Sequence, residues 1–246
     1  MQKSSFYILI VLLLLISICS SKKFLSKTFF TNTANSYMKI NSSMLRKALN
    51  NKDFYVLDTR PMTTSLLGYI SNSIIIPYSN FTWLSSVVPD LSNIIIISDK
   101  ENYLEVLKYL ESLRKYKIYG YCFYEEVSIF SYFDIQKIVY DENTKESLEK
   151  IVESKQNIID IREISEFKET GVIKEAKLIP FSTFLKNYVN IPKDGDVYVF
   201  CKKGIRAVIG MTFVKRAGYK NNFIIMKGGM EQTIKNNYPV VPYSAQ

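Results

Sequence analysis

The composition of this 246-residue chain indicates a globular protein and excludes several classes of site. Apolar residues make up 47% and aromatic residues 14%, enough for two modest domains or one large one. The formal charge of +9 is concentrated at the start, because the first 52 residues carry 8 Lys and Arg and no acid. The nearly neutral remainder argues against nucleic-acid binding. The absence of histidine excludes Ser-His-Asp and Cys-His pairs and every zinc site that needs imidazole.

The first segment of the chain has the features of a targeting leader. An uncharged apolar run at 6–19 follows Lys3 and is too short to span a bilayer, so residues 1–21 are predicted to be a cleaved signal peptide that leaves no stable membrane span. An uncleaved anchor and lipidation of Cys19 are the alternatives. Residues 22–37 are basic and hydroxyl-rich, which is typical of a transit peptide but also of a linker. The two parts together resemble the bipartite presequence of proteins of a secondary plastid such as the apicoplast, with export or membrane anchoring as the alternative.

After the leader, short apolar runs alternate with a helical pattern. Runs at 54–60 and 93–98 flank the segment 68–81, and the spacing of apolar residues predicts a helix over 105–117. The polar stretch 140–150 then forms a connection.

The second half repeats this order. A helix with Ser182 or Thr183 as its cap and a helix over 206–218 lie between apolar runs at 157–163, 176–181, 197–200 and 222–226. Strands that alternate with helices predict an open, mainly parallel sheet with helices on both faces, an α/β fold. The repetition predicts two similar domains, 38–140 and 145–246.

The cysteines do not form a disulfide framework in this interpretation. Cys19 is lost with the signal, and Cys122 lies in an apolar run as a core thiol. Cys201 remains. It ends an apolar run and precedes a helix, so it lies at the carboxyl end of a parallel strand, where open α/β sheets bind ligands.

The residues after Cys201 predict an activated thiol. The amino end of a helix and the cations Lys202, Lys203 and Arg206 favour a thiolate. Gly204 allows the loop to curl so that backbone N–H groups face an anion. The alternative for a lone cysteine is a small packed hydrophobe.

Taken together, these elements resemble the rhodanese domain of sulfurtransferases. The matching motifs follow the pattern D-x-R-E, G-x-I, I-P, C-x-x-G-x-R and GG, and they stand at Asp160, Arg162 and Glu163, Gly171 to Ile173, Ile179 and Pro180, Cys201 to Arg206, and Gly228 with Gly229. The resemblance is strong over 145–242 and weak over 38–140. Val172 and Thr233 stand where the family usually has histidine and often tryptophan, both mainly packing positions.

In the first half, the corresponding motifs are degenerate. Ser98 replaces the cysteine, Glu101 the glycine and Tyr103 the arginine, and the glycine pair becomes Glu125 and Glu126. The loop charge changes from +3 to −1. We expect this domain to be catalytically silent.

The resemblance implies a thiosulfate sulfurtransferase-like enzyme that moves sulfane sulfur through a persulfide on Cys201. It implies an anionic sulfur donor, a thiol acceptor (a small thiol or a thioredoxin-like protein) or cyanide, and no metal or organic cofactor. The two lysines resemble thiosulfate-type loops more than mercaptopyruvate-type loops. The expected substrate-binding residues are Lys202, Lys203, Gly204, Ile205 and Arg206. Asp160 and Arg162 are expected to form an ion pair that supports the loop, with direct substrate contact as the alternative.

Two other functions remain open at this point. A cysteine phosphatase or arsenate reductase of related fold has five residues between Cys and Arg, whereas this chain has four between Cys201 and Arg206. A non-catalytic module, in which the first half recognises a partner and the second carries sulfur or is inert, is the other alternative.

Overall fold

Two five-stranded sheets organise residues 37–244, the part of the chain that the computed structural model describes. The leader predictions for residues 1–21 and for most of 22–37 lie outside the described residues. Within the described part, the strands are β1 (Met38–Lys39), β2 (Phe54–Asp58), β3 (Tyr69–Ile70), β4 (Ile74–Ile75), β5 (Asn93–Ser98), β6 (Lys117–Phe123), β7 (Ile135–Gln136), β8 (Val139–Asp141), β9 (Asn157–Asp160), β10 (Lys177–Leu178), β11 (Val197–Phe200) and β12 (Phe223–Met226).

The two sheets have the same topology. The first has the order β1-β6-β5-β2-β4 and the second, read from its other edge, β8-β12-β11-β9-β10. Counted along the chain within each sheet, both orders are first, fifth, fourth, second and third. All strand pairs in both sheets are parallel. The predicted α/β class with parallel sheets flanked by helices is confirmed.

Helices connect the strands. Those of the described chain are α1 (Ser42–Leu49), α2 (Met62–Ser65), α3 (Tyr103–Leu113), α4 (Tyr124–Val127), α5 (Lys145–Glu153), α6 (Ile164–Thr170), α7 (Phe184–Asn187), α8 (Ile205–Arg216) and α9 (Gly229–Lys235), with 3-10 segments at Tyr78–Ser86, Phe181–Thr183 and Tyr188–Asn190. None of these helices has the length and apolar character needed to cross a membrane.

Helix α8, which follows Cys201, lies between the two sheets. It packs against β4 of the first sheet and β12 of the second. Every residue from Arg206 to Val214 is buried, as expected for a helix covered on both faces. The Thr212 hydroxyl accepts a hydrogen bond of 3.1 Å from the backbone N–H of Ile75, and Arg216 donates to the carbonyl of Phe54. One apolar core cluster therefore includes residues of both halves.

Two local predictions differ from the structure. The polar stretch 140–150 is not only a connection, because β8 pairs with β12 in the second sheet and α5 begins at Lys145. The helix after Pro180 is broken into 3-10 and α segments, and neither predicted cap closes it. The Ser182 hydroxyl instead donates to Glu163, at 2.7 Å, and the Thr183 hydroxyl donates to the carbonyl of Pro180.

Candidate active site

Cys201 directly follows the buried strand β11. Its neighbours along the sheet are β9 on one side and β12 on the other, so the residue lies at the carboxyl end of the sheet's central strand. The side chain is buried, with 1% of its surface exposed. The structure thus places the thiol at the position that the sequence predicts.

The backbone after Cys201 wraps around the sulfur. Gly204 has a φ of 97°, a left-handed conformation that glycine adopts without strain, and its N–H lies 3.0 Å from the Cys201 Sγ. Helix α9 closes the other side of the loop, since the N–H groups of Met230 and Glu231 donate to the carbonyls of Cys201 and Lys202 at 2.9 and 3.2 Å. The glycine pair makes this approach possible, because a Cβ on Gly229 would collide with the Cys201 carbonyl.

Burial is the largest influence on the thiol. It raises the pKa of Cys201, and the opposing effects of the Ala207 N–H, the Arg206 charge and the N–H groups of Lys203 and Gly204 are smaller. These loop groups act in the predicted direction, since each of them lowers the pKa of the thiol, but desolvation outweighs the hydrogen bonds and charge that surround the sulfur.

The two lysines contribute little to the thiol because they point toward solvent. Their side chains are 55% and 64% exposed at Lys202 and Lys203, and both ammonium groups face the Glu231 carboxylate, at 4.0 and 3.7 Å. They form a cationic rim that Glu231 partly neutralises. Sequence reasoning missed Glu231, although it follows the glycine pair by one residue.

Arg206 is a buried partner of Glu166. Its guanidinium donates two hydrogen bonds to that carboxylate, at 2.6 and 2.7 Å, and lies 4.9 Å from the ring centre of Trp83 in the first half. The pair keeps the pKa of Glu166 low despite burial. Arg206 was expected to bind substrate, but in this structure its charge is already paired.

Asp160 and Arg162 form the expected buried ion pair, with the closest contact at 2.7 Å. The guanidinium also donates to the Gly171 carbonyl at 2.8 Å and to the Thr170 hydroxyl at 2.6 Å. These bonds fix the end of α6, the helix that carries Glu166. The pair therefore supports the Cys201 loop through Glu166 and Arg206.

The remaining motif positions are packed. Ile205 is half-buried and lines a groove beside the loop. Val172 is buried and bridges Val241, and the buried Thr233 hydroxyl donates to Asn143 at 3.0 Å. Within residues 37–244 no cluster of His, Cys, Asp and Glu could hold a metal ion.

The equivalent loop of the first half has a different chemistry. Ser98 is buried at the end of β5, and the side chain of Asp99 closes the loop by accepting from Asn102, at 2.9 Å. Glu126, which occupies the place of the glycine pair after β6, forms ion pairs with Lys39 and Lys100 at 2.8 and 3.7 Å. This loop carries no thiol and faces a carboxylate.

Comparison with protein families identifies the second half. Residues 144–236 match the family model described as Rhodanese-like domain. This segment is a rhodanese-like domain. It contains Cys201 with its entire loop, Glu166 and the Asp160–Arg162 pair.

Similar proteins have related names. A curated protein named Sulfurtransferase from Allochromatium vinosum is 27% identical over 84 residues, which cover 34% of this chain and 77% of that protein. A rhodanese-related protein from Thermoplasma volcanium is 25% identical, covering 42% of this chain and all of that structure, with a TM-score of 0.37. A thiosulfate sulfurtransferase from Pseudomonas aeruginosa is 15% identical, covering 83% of this chain and 43% of that structure, with a TM-score of 0.36.

Proposed function

We propose that this protein is a sulfurtransferase in which Cys201 accepts a sulfane sulfur from thiosulfate or a similar anionic donor and passes it to a thiol or to cyanide. The observation that carries the proposal is the position of the Cys201 sulfur, at the end of β11 and 3.0 Å from the Gly204 N–H, inside a rhodanese-like domain. Such a loop holds a thiol beside N–H groups that suit an anion.

The reaction has two balanced steps. In the first, the Cys201 sulfur attacks the outer sulfur of thiosulfate, the sulfur–sulfur bond of the donor breaks, and sulfite leaves with the thiol proton as hydrogensulfite. In the second, the acceptor attacks the outer sulfur of the persulfide and Cys201 leaves as a thiolate. The N–H groups of Gly204, Lys203 and Ala207, all of which lower the pKa of Cys201, stabilise the negative sulfur in both steps.

The first half has a supporting role in this proposal. We infer that it is a degenerate copy of the rhodanese-like domain, since both sheets share one strand order while Ser98 and Glu126 replace the thiol and the glycine pair. A serine without an adjacent base is a poor nucleophile. The non-catalytic alternative differs in one respect, because it predicts no turnover by Cys201.

Mass spectrometry after thiosulfate treatment tests the proposal. The chain should gain the mass of one sulfur atom, and Cys201→Ser should lose both this adduct and cyanide-dependent turnover, since an oxygen cannot carry the transferred sulfur. Cys122→Ser is the matched control, because Cys122 is buried on β6 of the first sheet, where burial raises its pKa to about 12. An adduct that survives Cys201→Ser would overturn the site. Turnover of aryl phosphates at a comparable rate would favour the phosphatase alternative instead.

A further inference from the structure

A cavity of about 110 Å³ lies beside the carboxyl-terminal half of α8. Met211 and Lys215 of this helix line it, together with residues of β12. Tyr69 and the segment 136–139, through which the first half passes into the second, form other parts of the wall. Both halves of the chain therefore build this cavity, and no residue of the Cys201 loop takes part.

The wall of the cavity has an apolar part and a polar part. Met211, Phe223 and Ile225 are all buried and give it an apolar floor. Gln136 and Lys137 are exposed and line its polar mouth. A molecule that fits both parts has a polar end and an apolar end.

The cavity is cationic. No Asp or Glu lines it, whereas Lys137 and Lys215 both do. Lys215 is half-buried, and its ammonium group lies 5.6 Å from the ring centre of Phe223. Burial lowers the pKa of Lys215, and no carboxylate of residues 37–244 pairs with it to offset this effect. A negative group inside the cavity would supply the missing counter-charge.

Tyr69 adds a hydrogen-bond donor to the same cavity. The residue is only 6% exposed, and its hydroxyl has no hydrogen-bond partner within residues 37–244. A buried hydroxyl without a partner is costly, so this group suits a ligand that accepts its proton in a hydrogen bond. Burial, with a smaller contribution from Asp134, raises the pKa of Tyr69 to about 12. The hydroxyl therefore keeps its proton at neutral pH and donates it.

The size of the cavity limits the ligand. An apolar cavity of roughly 150 Å³ holds benzene, with its six carbon atoms, so about 110 Å³ suits a molecule of about four or five non-hydrogen atoms. An inorganic oxyanion of this size would answer Lys215 and Tyr69 but would leave the apolar floor against a polar surface. A short carboxylate matches both parts of the wall.

We propose that this cavity is a binding site for a small organic carboxylate of about three carbons. Its carboxylate accepts hydrogen bonds from the Lys215 ammonium and the Tyr69 hydroxyl, and its alkyl end lies against Phe223 and Ile225. Because Tyr69 belongs to the first half and Lys215 to the second, the bound molecule bridges the two halves. The site is separate from Cys201 and does not depend on the proposed sulfurtransferase function.

Calorimetry with the full chain and sodium propionate, at constant ionic strength and pH 7.5, tests the proposal. Propionate should bind with a dissociation constant in the millimolar range or below. Propionamide has the same size without the charge and should bind at least about tenfold more weakly. Hexanoate, whose three additional carbons do not fit the cavity, and sulfate, which has no apolar end, should each bind at least about fivefold more weakly.

Lys215→Met and Lys220→Met form a matched pair. Both remove one lysine from the same region of the chain, but Lys220 is exposed and does not line the cavity. Lys215→Met should weaken propionate binding at least about tenfold, whereas Lys220→Met should leave it within about twofold of the parent. Tyr69→Phe removes only the unpartnered hydroxyl, so the variant should fold and bind propionate about three- to tenfold more weakly. This variant tests the site even if Lys215→Met does not fold.

The remaining outcomes show where propionate binds and what the site selects. Cys201→Ser should leave the affinity for propionate unchanged, and a loss of binding in this variant would place the ligand at the Cys201 loop and overturn the assignment. Equal effects of Lys215→Met and Lys220→Met, or unchanged binding by Tyr69→Phe, would also overturn it. Sulfate that binds as tightly as propionate would contradict the choice of an organic carboxylate.

Discussion

Removing the Glu166 carboxylate should destabilise the fold only while Arg206 is present. The two side chains are 18% and 7% exposed and share two hydrogen bonds of 2.6 and 2.7 Å. Glu166→Gln keeps the shape but leaves the buried guanidinium without a counter-charge, which costs about 2–3 kcal/mol. The contact of Arg206 with Trp83 remains in the variant, which keeps the cost at the lower end of the range for broken buried pairs.

A double-mutant cycle measures this coupling. Urea denaturation of the parent, Glu166→Gln, Arg206→Met and the double variant should give a coupling free energy of about 2 kcal/mol, and Glu166→Gln should move the midpoint by roughly 1 M. If the changes in the free energy of unfolding caused by the two single substitutions add up to that of the double variant within about 0.5 kcal/mol, the pair does not have this role.

The pH dependence of the same variants gives an independent check. Although burial opposes it, the hydrogen bonds from Arg206 lower the pKa of Glu166 in the folded state. A carboxylate whose pKa is lower in the folded than in the unfolded state stabilises the fold at any pH above its unfolded pKa, which is about 4.3 for Glu. This stabilisation is lost as the pH falls through the pKa of the folded state. The difference in the free energy of unfolding between the parent and Glu166→Gln should therefore be constant above about pH 5 and disappear on acidification. A difference in stability that persists at low pH would mean that the charge of the Glu166 carboxylate is not its cause.

Three further outcomes follow from the loops. Ser98→Ala should leave sulfur transfer within about twofold of the parent, because that loop lacks a base, and a tenfold loss would show that the first half takes part. Glu231→Gln should release Lys202 and Lys203 from their carboxylate partner and raise kcat/KM for thiosulfate about two- to fivefold at low salt. If high salt does not reduce this gain, its cause is not the charge of the two lysines. Alkylation of Cys201 should still accelerate as the pH passes about 8.5, since burial raises its pKa, and a rate that levels off below pH 8 would refute this.

The fold was predictable because its signals are local. Apolar runs such as 93–98 and 197–200 became the central strands β5 and β11, and the helix predicted over 206–218 is α8, Ile205–Arg216. The short edge strand β8 was missed for the opposite reason. Three residues in a polar stretch give no periodic pattern, and only pairing with β12 makes them a strand.

The site was predictable in its backbone and less so in its electrostatics. The position of Cys201 follows from the end of a strand, and the conformation of Gly204 follows from the need for a left-handed turn. The partner of Arg206 could not be predicted in this way, because Glu166 lies 40 residues away along the chain and reaches Arg206 only through the adjacency of β9 and β11. The prediction therefore treated Lys202, Lys203 and Arg206 as free charges beside the thiol. In the structure each of these cations has a carboxylate partner.

The two halves keep the same internal brace although their loops differ, which supports the proposed duplication. Asp58 and Arg60 form a buried pair at 2.6 Å whose guanidinium donates to the Gly68 carbonyl at 2.8 Å, as Arg162 does to the Gly171 carbonyl. Such a brace shapes the strand-to-helix turn and carries no chemistry of its own. A half that retains it but lacks the thiol has kept its architecture, and in this chain that architecture covers α8.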